Sequence, residues 1–97
     1  MADEIEPRHR PERSRYEVLV DGAVAGFAVY RDEPGRTVFT HTIVKPEYEG
    51  RGLGSRLASF ALDDVVARGD RIVPECPFIR AYLERHPAYE ASVDPVG

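Results

Sequence analysis

Hydrophobic and polar residues alternate in two short runs in the first third of the chain, at positions 16–20 and 24–30. A period of two predicts β-strands, because successive side chains of a strand point to opposite faces of a sheet. Asp21 and Gly22 separate the runs and predict a tight hairpin turn, since this pair accepts positive φ. A second turn leads to positions 37–44, where β-branched residues predict a third strand. The pattern therefore predicts an antiparallel three-strand meander.

The spacing of apolar residues changes between positions 52 and 68, where they recur every three or four residues. This period predicts an amphipathic helix that stops at Gly69. Positions 71–74 form a short apolar run, which we expect to be a fourth strand parallel to the third, since a helix connects them. Pro77 suits the first turn of a second helix, which ends near His86. The predicted fold is therefore α/β (α+β): a meander, a helix, a parallel strand and a C-terminal helix.

The N-terminal segment differs from the rest of the chain. Residues 1–14 are polar and carry prolines, so we expect a disordered leader. Residues 15–97 then form a single domain, because a chain of 97 residues suits one hydrophobic core. With the leader disordered, the strand at 16–20 has an exposed edge that can pair with a second copy. We therefore expect a monomer or a weak homodimer.

Charge and composition limit the cellular locations and the classes of binding partner that we expect. The net charge of −4 gives no general attraction to nucleic acid or to anionic membranes. No apolar run resembles a signal peptide or approaches the roughly 20 residues of a membrane-spanning helix. The single cysteine, Cys76, excludes an internal disulfide and a cysteine-based zinc site. We expect a cytoplasmic protein that binds neither nucleic acid nor membranes.

Glycine occupies every second position from Gly50 to Gly54, between the third strand and the first helix. Without side chains, the backbone N–H groups of such a turn can approach a ligand. The helix start adds unpaired N–H groups and the positive end of its dipole, which suits a phosphate or pyrophosphate. Ser55 adds a hydroxyl group, and Arg51 and Arg56 add positive charge. The same glycines are also compatible with a flexible loop that binds nothing, and their spacing matches neither the dinucleotide fingerprint nor a P-loop.

Two separated motifs resemble one known family. The segment HTIVKPEYEGRGLGSRL at positions 41–57 resembles the acetyl-CoA motif of the GNAT N-acetyltransferases. The segment VPECPFIRAYLERHPAY at positions 73–89 resembles the small single-domain GNAT-like subfamily. Two residues depart from the family pattern. Glu49 replaces the usual Gln or Arg, and Ile43 replaces a glutamate whose equivalents often act as general base.

The resemblance implies that the chain binds acetyl-CoA or coenzyme A as a co-substrate and needs no metal. The pyrophosphate would rest on the amides of residues 51–55, and the pantetheine arm would lie between the third and fourth strands. The cofactor contacts implied in this way are Val44, Gly50, Arg51, Gly52, Leu53, Gly54, Ser55, Arg56, Tyr82 and Arg85.

Three side chains are candidates for catalysis, each with a structural alternative. Cys76 precedes the second helix, whose N-terminus favours a nucleophilic thiolate that can accept an acetyl group, but a lone cysteine is also a common small buried residue. His41 can take the proton of an amine, or it can be a hydrogen-bonded structural residue. Tyr82 matches the family tyrosine that protonates the leaving thiolate, or it belongs to the core.

We therefore expect an acetyl-CoA-dependent N-acyltransferase that acts on a primary amine, either a small molecule or a protein lysine. The alternative is an acyl-CoA-binding protein with little or no transferase activity, which Ile43 and the small size of the chain favour. His41 and Cys76 distinguish the two hypotheses, because a transferase needs them in one cleft.

Overall fold

The computed structural model of the protein describes residues 4–94. Within these residues the chain forms five strands and two α-helices. The strands are β1 (Ile5–Arg10), β2 (Arg15–Val20), β3 (Ala23–Glu33), β4 (Arg36–Val44) and β5 (Arg71–Pro74). The helices are α1 (Leu53–Ala67) and α2 (Pro77–Glu84), and short 3₁₀ turns lie at Pro11–Arg13, Pro46–Tyr48 and Pro87–Ser92. No helix in this part of the chain is long and apolar enough to cross a membrane.

The strands form one sheet in the order β1-β2-β3-β4-β5. Neighbouring strands are antiparallel except for β4 and β5, which are parallel on either side of α1 in the chain. Asp21 and Gly22 both have positive φ, 50° and 85°, as the predicted hairpin turn requires. The predicted meander, helix, parallel strand and C-terminal helix are confirmed, and they correspond to β2–β4, α1, β5 and α2.

Strand β1 corrects the prediction that residues 1–14 are a disordered leader. It pairs with β2 along its whole length, from Ile5 opposite Val20 to Arg10 opposite Arg15. The pairing supplies hydrogen-bond partners to the backbone of β2, and Pro7 is tolerated because β1 is an edge strand. The edge at 16–20 that we expected to be exposed is therefore covered by the chain itself. Residues 1–3 of the predicted leader lie outside the described residues.

His9 links β1 to the rest of the domain through ring stacking and polar contacts. Its ring stacks on Tyr16 with a centroid distance of 4.2 Å, and its Nε2 lies 2.6 Å from the Tyr30 hydroxyl. Its Nδ1 lies 3.6 Å from Oδ2 of Asp64 on α1. Asp64 in turn accepts a hydrogen bond of 2.6 Å from the Tyr16 hydroxyl and pairs with Arg68 at 3.4 Å. One polar network thus joins three strands to the helix.

The hydrophobic core lies between the sheet and both helices, which pack against the same sheet face. Tyr16 and Phe39 from the strands, Leu57 and Leu62 from α1, and Ile79 from α2 are all fully buried in one cluster. The apolar residues of α1 lie on one side because they recur at helical spacing. Both helices therefore cover the same face of the sheet, and no helix of the described residues covers the second face.

A row of three residues crosses that second face: Glu17, Phe27 and Ile43 are neighbours across β2, β3 and β4. Ile43 is 48% exposed, and the Arg15 guanidinium lies 4.6 Å from the centre of the Phe27 ring. Glu17 is buried but pairs with Arg15 at 2.6 Å and Arg10 at 3.3 Å. Burial alone would raise the pKa of Glu17, but the hydrogen bonds from Arg15 and Arg10 outweigh it and hold this pKa below its usual value.

We predict that protonation of His9 lowers the free energy of unfolding of the protein in mild acid. Burial of the ring, reinforced by the charge of Arg68, lowers the pKa of His9 although Asp64 opposes the shift. Protonation therefore favours the unfolded chain, so the contribution of His9 is full above the unfolded pKa of about 6.5 and is lost as the pH falls through the folded value. In His9→Phe, which keeps an aromatic ring on Tyr16, urea midpoints at pH 7.5 and 5.5 should differ less than in the wild type.

Tyr30→Phe is the matched control for this prediction. It removes the hydrogen bond to His9 but leaves the histidine able to titrate. This variant should keep the pH dependence of the wild type. An equal pH dependence in the wild type and in His9→Phe would show that His9 is not the group responsible.

Candidate functional site

Strand β4 continues past the end of β5, and the two strands diverge there. Their ladder ends at the pair Phe39 and Pro74, while residues 40–44 of β4 have no strand on that side in the described part of the chain. Pro74 has no N–H group with which to continue the ladder, and Pro77 fixes the start of α2 three residues later. The N–H of Cys76 donates a hydrogen bond of 2.9 Å to the Phe39 carbonyl, beside the divergence. The sheet therefore opens into a cleft.

A β-bulge lies in β4 at the same point. Val29 pairs with His41 and Tyr30 pairs with Phe39, so Thr40 is an extra residue without a partner on β3. Its hydroxyl donates a hydrogen bond of 3.3 Å to the Val29 carbonyl. Bulges bend a strand and redirect its side chains, and they are frequent beside functional sites. The bulge and the early end of β5 together turn this half of β4 away from β5.

The glycine-rich turn opens α1 as the sequence predicts. Gly50 and Gly52 have φ values of 82° and 72°, and a Cβ at either position would meet nothing within 4 Å. Gly52 is the N-cap residue, and no side chain caps the helix. The N–H of Arg56 bonds to the Gly52 carbonyl at 3.2 Å, whereas the amides of residues 53–55 precede the first intrahelical bond. These backbone donors therefore have no partner within the helix.

A surface pocket of about 210 Å³ opens at this helix start. Its lining residues are Val44, Tyr48, Glu49, Gly50, Gly52, Leu53, Gly54, Ser55 and Phe78. Six of them are cofactor contacts predicted from the sequence: Val44, Gly50, Gly52, Leu53, Gly54 and Ser55. The pocket thus joins the end of β4, the glycine-rich turn and the first turn of α2.

Three lining residues were missed by the sequence analysis as contacts: Tyr48, Glu49 and Phe78. Phe78 gives no local signal, because it reaches the pocket from a helix that is distant in the chain. A Cβ on Gly54 would lie 2.7 Å from Cζ of Phe78, so Gly54 is small where α2 approaches α1. Tyr48 lies beneath Arg51, whose guanidinium is 5.7 Å from the ring centre. The pocket therefore has two aromatic walls.

The remaining predicted cofactor contacts do not line this pocket. Arg56 lines a separate depression between α1 and Pro7 of β1. Tyr82 is buried in the core and stacks on His86 with a centroid distance of 3.9 Å. Arg85 is the C-cap of α2, at the opposite end of that helix from Phe78. Arg51 is exposed beside the pocket.

The charge of the pocket is mixed. Glu49 brings a carboxylate to a helix start that otherwise offers N–H groups and a positive dipole end. Arg51, close in the chain, brings the opposite charge. Among residues 4–94, no group of three or more histidine, cysteine or acidic side chains could hold a metal ion.

His41 and Cys76 lie on opposite sides of β4. The Cys76 side chain is 2% exposed, belongs to the core and donates a hydrogen bond of 3.2 Å from Sγ to the Thr42 hydroxyl. His41 is exposed, and its Nδ1 lies 3.1 Å from the hydroxyl of Thr40. Because successive strand residues point to opposite faces, Thr42 faces Cys76 while His41 faces away. The structure therefore does not bring the two predicted catalytic residues into one cleft.

Comparisons with known proteins point to one family. A sequence model described as GCN5-related N-acetyl-transferase matches residues 15–93, which includes every element except β1 and the turn after it. Protein NATD1 from Gallus gallus and from Mus musculus is 28% identical over 85 residues, covering 86% of this chain and 77% of each relative. The solution structure of a GCN5-like protein from Staphylococcus aureus superposes with a TM-score of 0.69 at 19% identity, covering 97% of this chain and 90% of the other. This last likeness concerns the fold.

We predict that the Cys76 thiol is protected in the folded protein. Because the side chain is buried beside Thr42, a bulky disulfide reagent should label it at least about a hundredfold more slowly than in the urea-unfolded chain. Thr42→Ala removes the hydrogen-bond acceptor without opening the core, so its labelling should stay slow. Rapid labelling of the native wild type would contradict this and would favour an accessible nucleophile.

Proposed function

Because the chain belongs to the GCN5-related N-acetyltransferase family, we propose that it transfers an acetyl group from acetyl-CoA to a primary amine. The domain proposed for this activity spans residues 15–97, of which the family model matches 15–93. The amine is either a small molecule or a protein lysine. The cytoplasmic location and the oligomeric state expected from the sequence stay predictions.

The pocket at the start of α1 is the observation that carries this proposal. Gly50 and Gly52 leave room for a ligand to approach the backbone, since nothing lies within 4 Å of their absent Cβ positions. The amides of residues 53–55 precede the first intrahelical hydrogen bond, at the positive end of a helix of 15 residues. Such a helix start suits the two phosphates of the pyrophosphate group. Arg51 before the helix and Arg56 within it would add positive charge nearby.

The divergence of β4 and β5 suits the rest of the cofactor. Residues 40–44 of β4 have a free backbone edge toward the cleft in the part of the chain described, and this edge ends at Val44 in the pocket. An extended, amide-containing arm can hydrogen-bond to such an edge as an added strand does. We therefore assign the pantetheine arm to this edge and its apolar contacts to Val44 and Phe78.

Acetyl-CoA, when bound, supplies the acetyl group as a thioester. The chain must then take a proton from the amine and return one to the sulfur. We propose His41 for the first role, because it is exposed on the strand beside the cleft. Cys76 and Tyr82 remain proposed for the acyl-carrier and proton-donor roles, and both require a movement that exposes a buried side chain.

A second candidate function, binding of acyl-CoA without transfer, is favoured by the placement of His41 and Cys76 on opposite sides of β4. Ile43 strengthens it, since an exposed apolar residue stands at the position where the family resemblance implies a general base. Release of free CoA from acetyl-CoA, followed with a panel of primary amines, distinguishes the two functions. Turnover that depends on both the amine and His41 supports the transferase, and tight binding without turnover supports the second function.

We predict that Gly52→Asn weakens CoA binding at least about tenfold, or ~1.4 kcal/mol. Asparagine tolerates the left-handed backbone but places a side chain where the phosphates are proposed to lie. Gly35→Asn is the matched control, because its φ of 74° is close to the 72° of Gly52 and its Cβ position is equally open. Calorimetric titration of CoA should show an unchanged affinity for that control. Equal affinities in all three proteins would exclude the pyrophosphate assignment.

We predict that Glu49→Gln strengthens CoA binding, on the order of threefold at low salt, because it removes a like charge from the phosphate pocket. The gain should shrink as salt screens the charges. Glu47→Gln is the matched control, since Glu47 lies in the neighbouring turn and does not line the pocket. If the two variants gain affinity equally, the effect comes from net charge and not from the position of Glu49.

A further inference from the structure

Four residues from four strands form an arginine–histidine row across the second face of the sheet. Arg10 pairs with Arg15, Arg15 with Val29, and Val29 with His41. Side chains of directly paired residues lie on the same face of a sheet, so the arginines and the histidine share this face. Arg15 and His41 are two strands apart, or roughly 10 Å, since neighbouring strands lie about 4.8 Å apart. Positive charge and the proposed base thus occupy the two ends of one short row.

A pocket of about 190 Å³ lies at the arginine end of this row. Its lining residues are Arg10, Glu12, Arg13, Arg15, Glu17 and Val24. Three guanidinium groups against two carboxylates leave a net positive charge there, although the chain as a whole is negative. The volume is below that of a typical small-molecule site, so the pocket suits the end group of a ligand and not a whole ligand.

The buried carboxylate of Glu17 orients two of the arginines without using all of their donors. Arg15 contacts Oε2 through Nε at 2.7 Å and Nη2 at 2.6 Å, and Arg10 contacts Oε1 through Nε at 3.3 Å. A guanidinium has more N–H donors than these contacts use, so both arginines keep donors for a second anion. Arg13 is exposed in the turn after β1, and no carboxylate of residues 4–94 forms an ion pair with it. The pocket therefore has positive charge and hydrogen-bond donors to offer an anionic group.

Apolar side chains lie between this pocket and His41. Val29 is half-buried between Arg15 and His41, and Phe27 and Ile43 continue the apolar surface in the neighbouring row. The Arg15 guanidinium lies 4.6 Å from the centre of the Phe27 ring, so its charge is above β3, on the side of its own strand that faces β4. A ligand that lies along the arginine–histidine row therefore meets cationic groups, then apolar side chains, then a histidine.

We propose that the acceptor is a small amine that also carries a carboxylate, with the two groups about 10 Å apart or less. The identification rests on the proposed function. The carboxylate would bind Arg10, Arg13 and Arg15, the apolar chain would lie on Val29, and the nitrogen would lie at His41. Guanidinium and carboxylate match in geometry, because two parallel hydrogen bonds can form between them. A diamine would bring a second positive charge to the arginines, and a simple alkylamine would leave their donors unused.

The carboxylate of the acceptor takes no part in bond formation. The bound ammonium first gives one proton to the solvent, and the neutral nitrogen bonds to the acetyl carbon. The carbon–sulfur bond breaks, and the second proton passes from the nitrogen to the sulfur of CoA. The arginines are therefore specificity residues, and their loss should raise KM for a carboxylate-bearing amine and leave kcat largely unchanged.

The test is an NMR titration of the full-length ¹⁵N-labelled protein with 6-aminohexanoate, run with and without CoA. We expect the amide signals of Arg15, Val29 and His41 to shift. The probes n-hexylamine and 1,6-diaminohexane have chains of the same length without the carboxylate, and they should bind at least about fivefold more weakly. Absence of these shifts in both titrations, or equal affinity for the three amines, would overturn the proposal.

Arg13→Gln tests the recognition of the carboxylate, because Arg13 is exposed and its replacement breaks no ion pair of the described residues. It should weaken binding of 6-aminohexanoate about threefold, and Arg13→Lys, which keeps the charge, should weaken it less. Arg8→Gln is the matched control, since Arg8 pairs with Glu17 across the same face and changes the net charge equally, but does not line the pocket. An equal loss in Arg13→Gln and Arg8→Gln, or no loss in Arg13→Gln, would contradict the assignment.

Turnover measurements distinguish this proposal from the proposed function. If 6-aminohexanoate binds along the arginine–histidine row and no amine is acetylated, the carboxylate site stands and the transferase assignment fails. If n-hexylamine is acetylated with the same kcat/KM as 6-aminohexanoate, the transferase assignment stands and the carboxylate site fails.

Discussion

The early end of β5 at Pro74 is the constraint on which the rest of the architecture depends. A strand that loses its N–H donor at this position cannot follow β4 to its end, and Pro77 then commits the chain to a helix. One half of β4 is left with a free edge, α2 is placed beside α1 on the same face of the sheet, and Cys76 is held at the junction by the Phe39 carbonyl. The cleft is therefore a product of two prolines and needs no inserted loop.

Helix α2 divides the surface that this divergence creates. Phe78 on one flank closes the pocket at the start of α1, and the absence of a side chain at Gly54 allows the two helices to come this close. Leu83 on the other flank lines a second cavity, of about 300 Å³, together with residues of the C-terminal segment. A helix of eight residues thus contributes to two cavities, so a change in its packing is expected to affect the shape of both.

Most of the fold could be predicted from local sequence patterns, and the rest depends on contacts between segments that are distant in the chain. The period of the apolar residues and the turn at Asp21 and Gly22 were sufficient to predict the meander, α1, β5 and α2. β1 could not be found in this way, because its polar residues show no alternation and gain their order from pairing with β2 and from the stacking of His9 on Tyr16. The glycine-rich turn could be recognised from the local sequence, whereas the contact of Phe78 with the pocket could not.

The opposite orientations of His41 and Cys76 also depend on contacts between separate segments of the chain, so they could not be predicted from the sequence. The bulge at Thr40 depends on how β3 meets β4, and no spacing within β4 reveals it.

The distribution of charged residues explains why the proposed anion site consists of backbone groups. The chain is net negative, and most arginines on β1 to β5 are already engaged, as Arg15 is with Glu17 and Arg71 with Asp94. Little positive charge is left to attract a phosphate from a distance. Backbone amides at a helix start need no side-chain ordering and keep their direction, so they bind an anion by geometry where the overall field is unfavourable. For this chain, the proposed affinity for a pyrophosphate therefore rests on the shape of one glycine-rich turn.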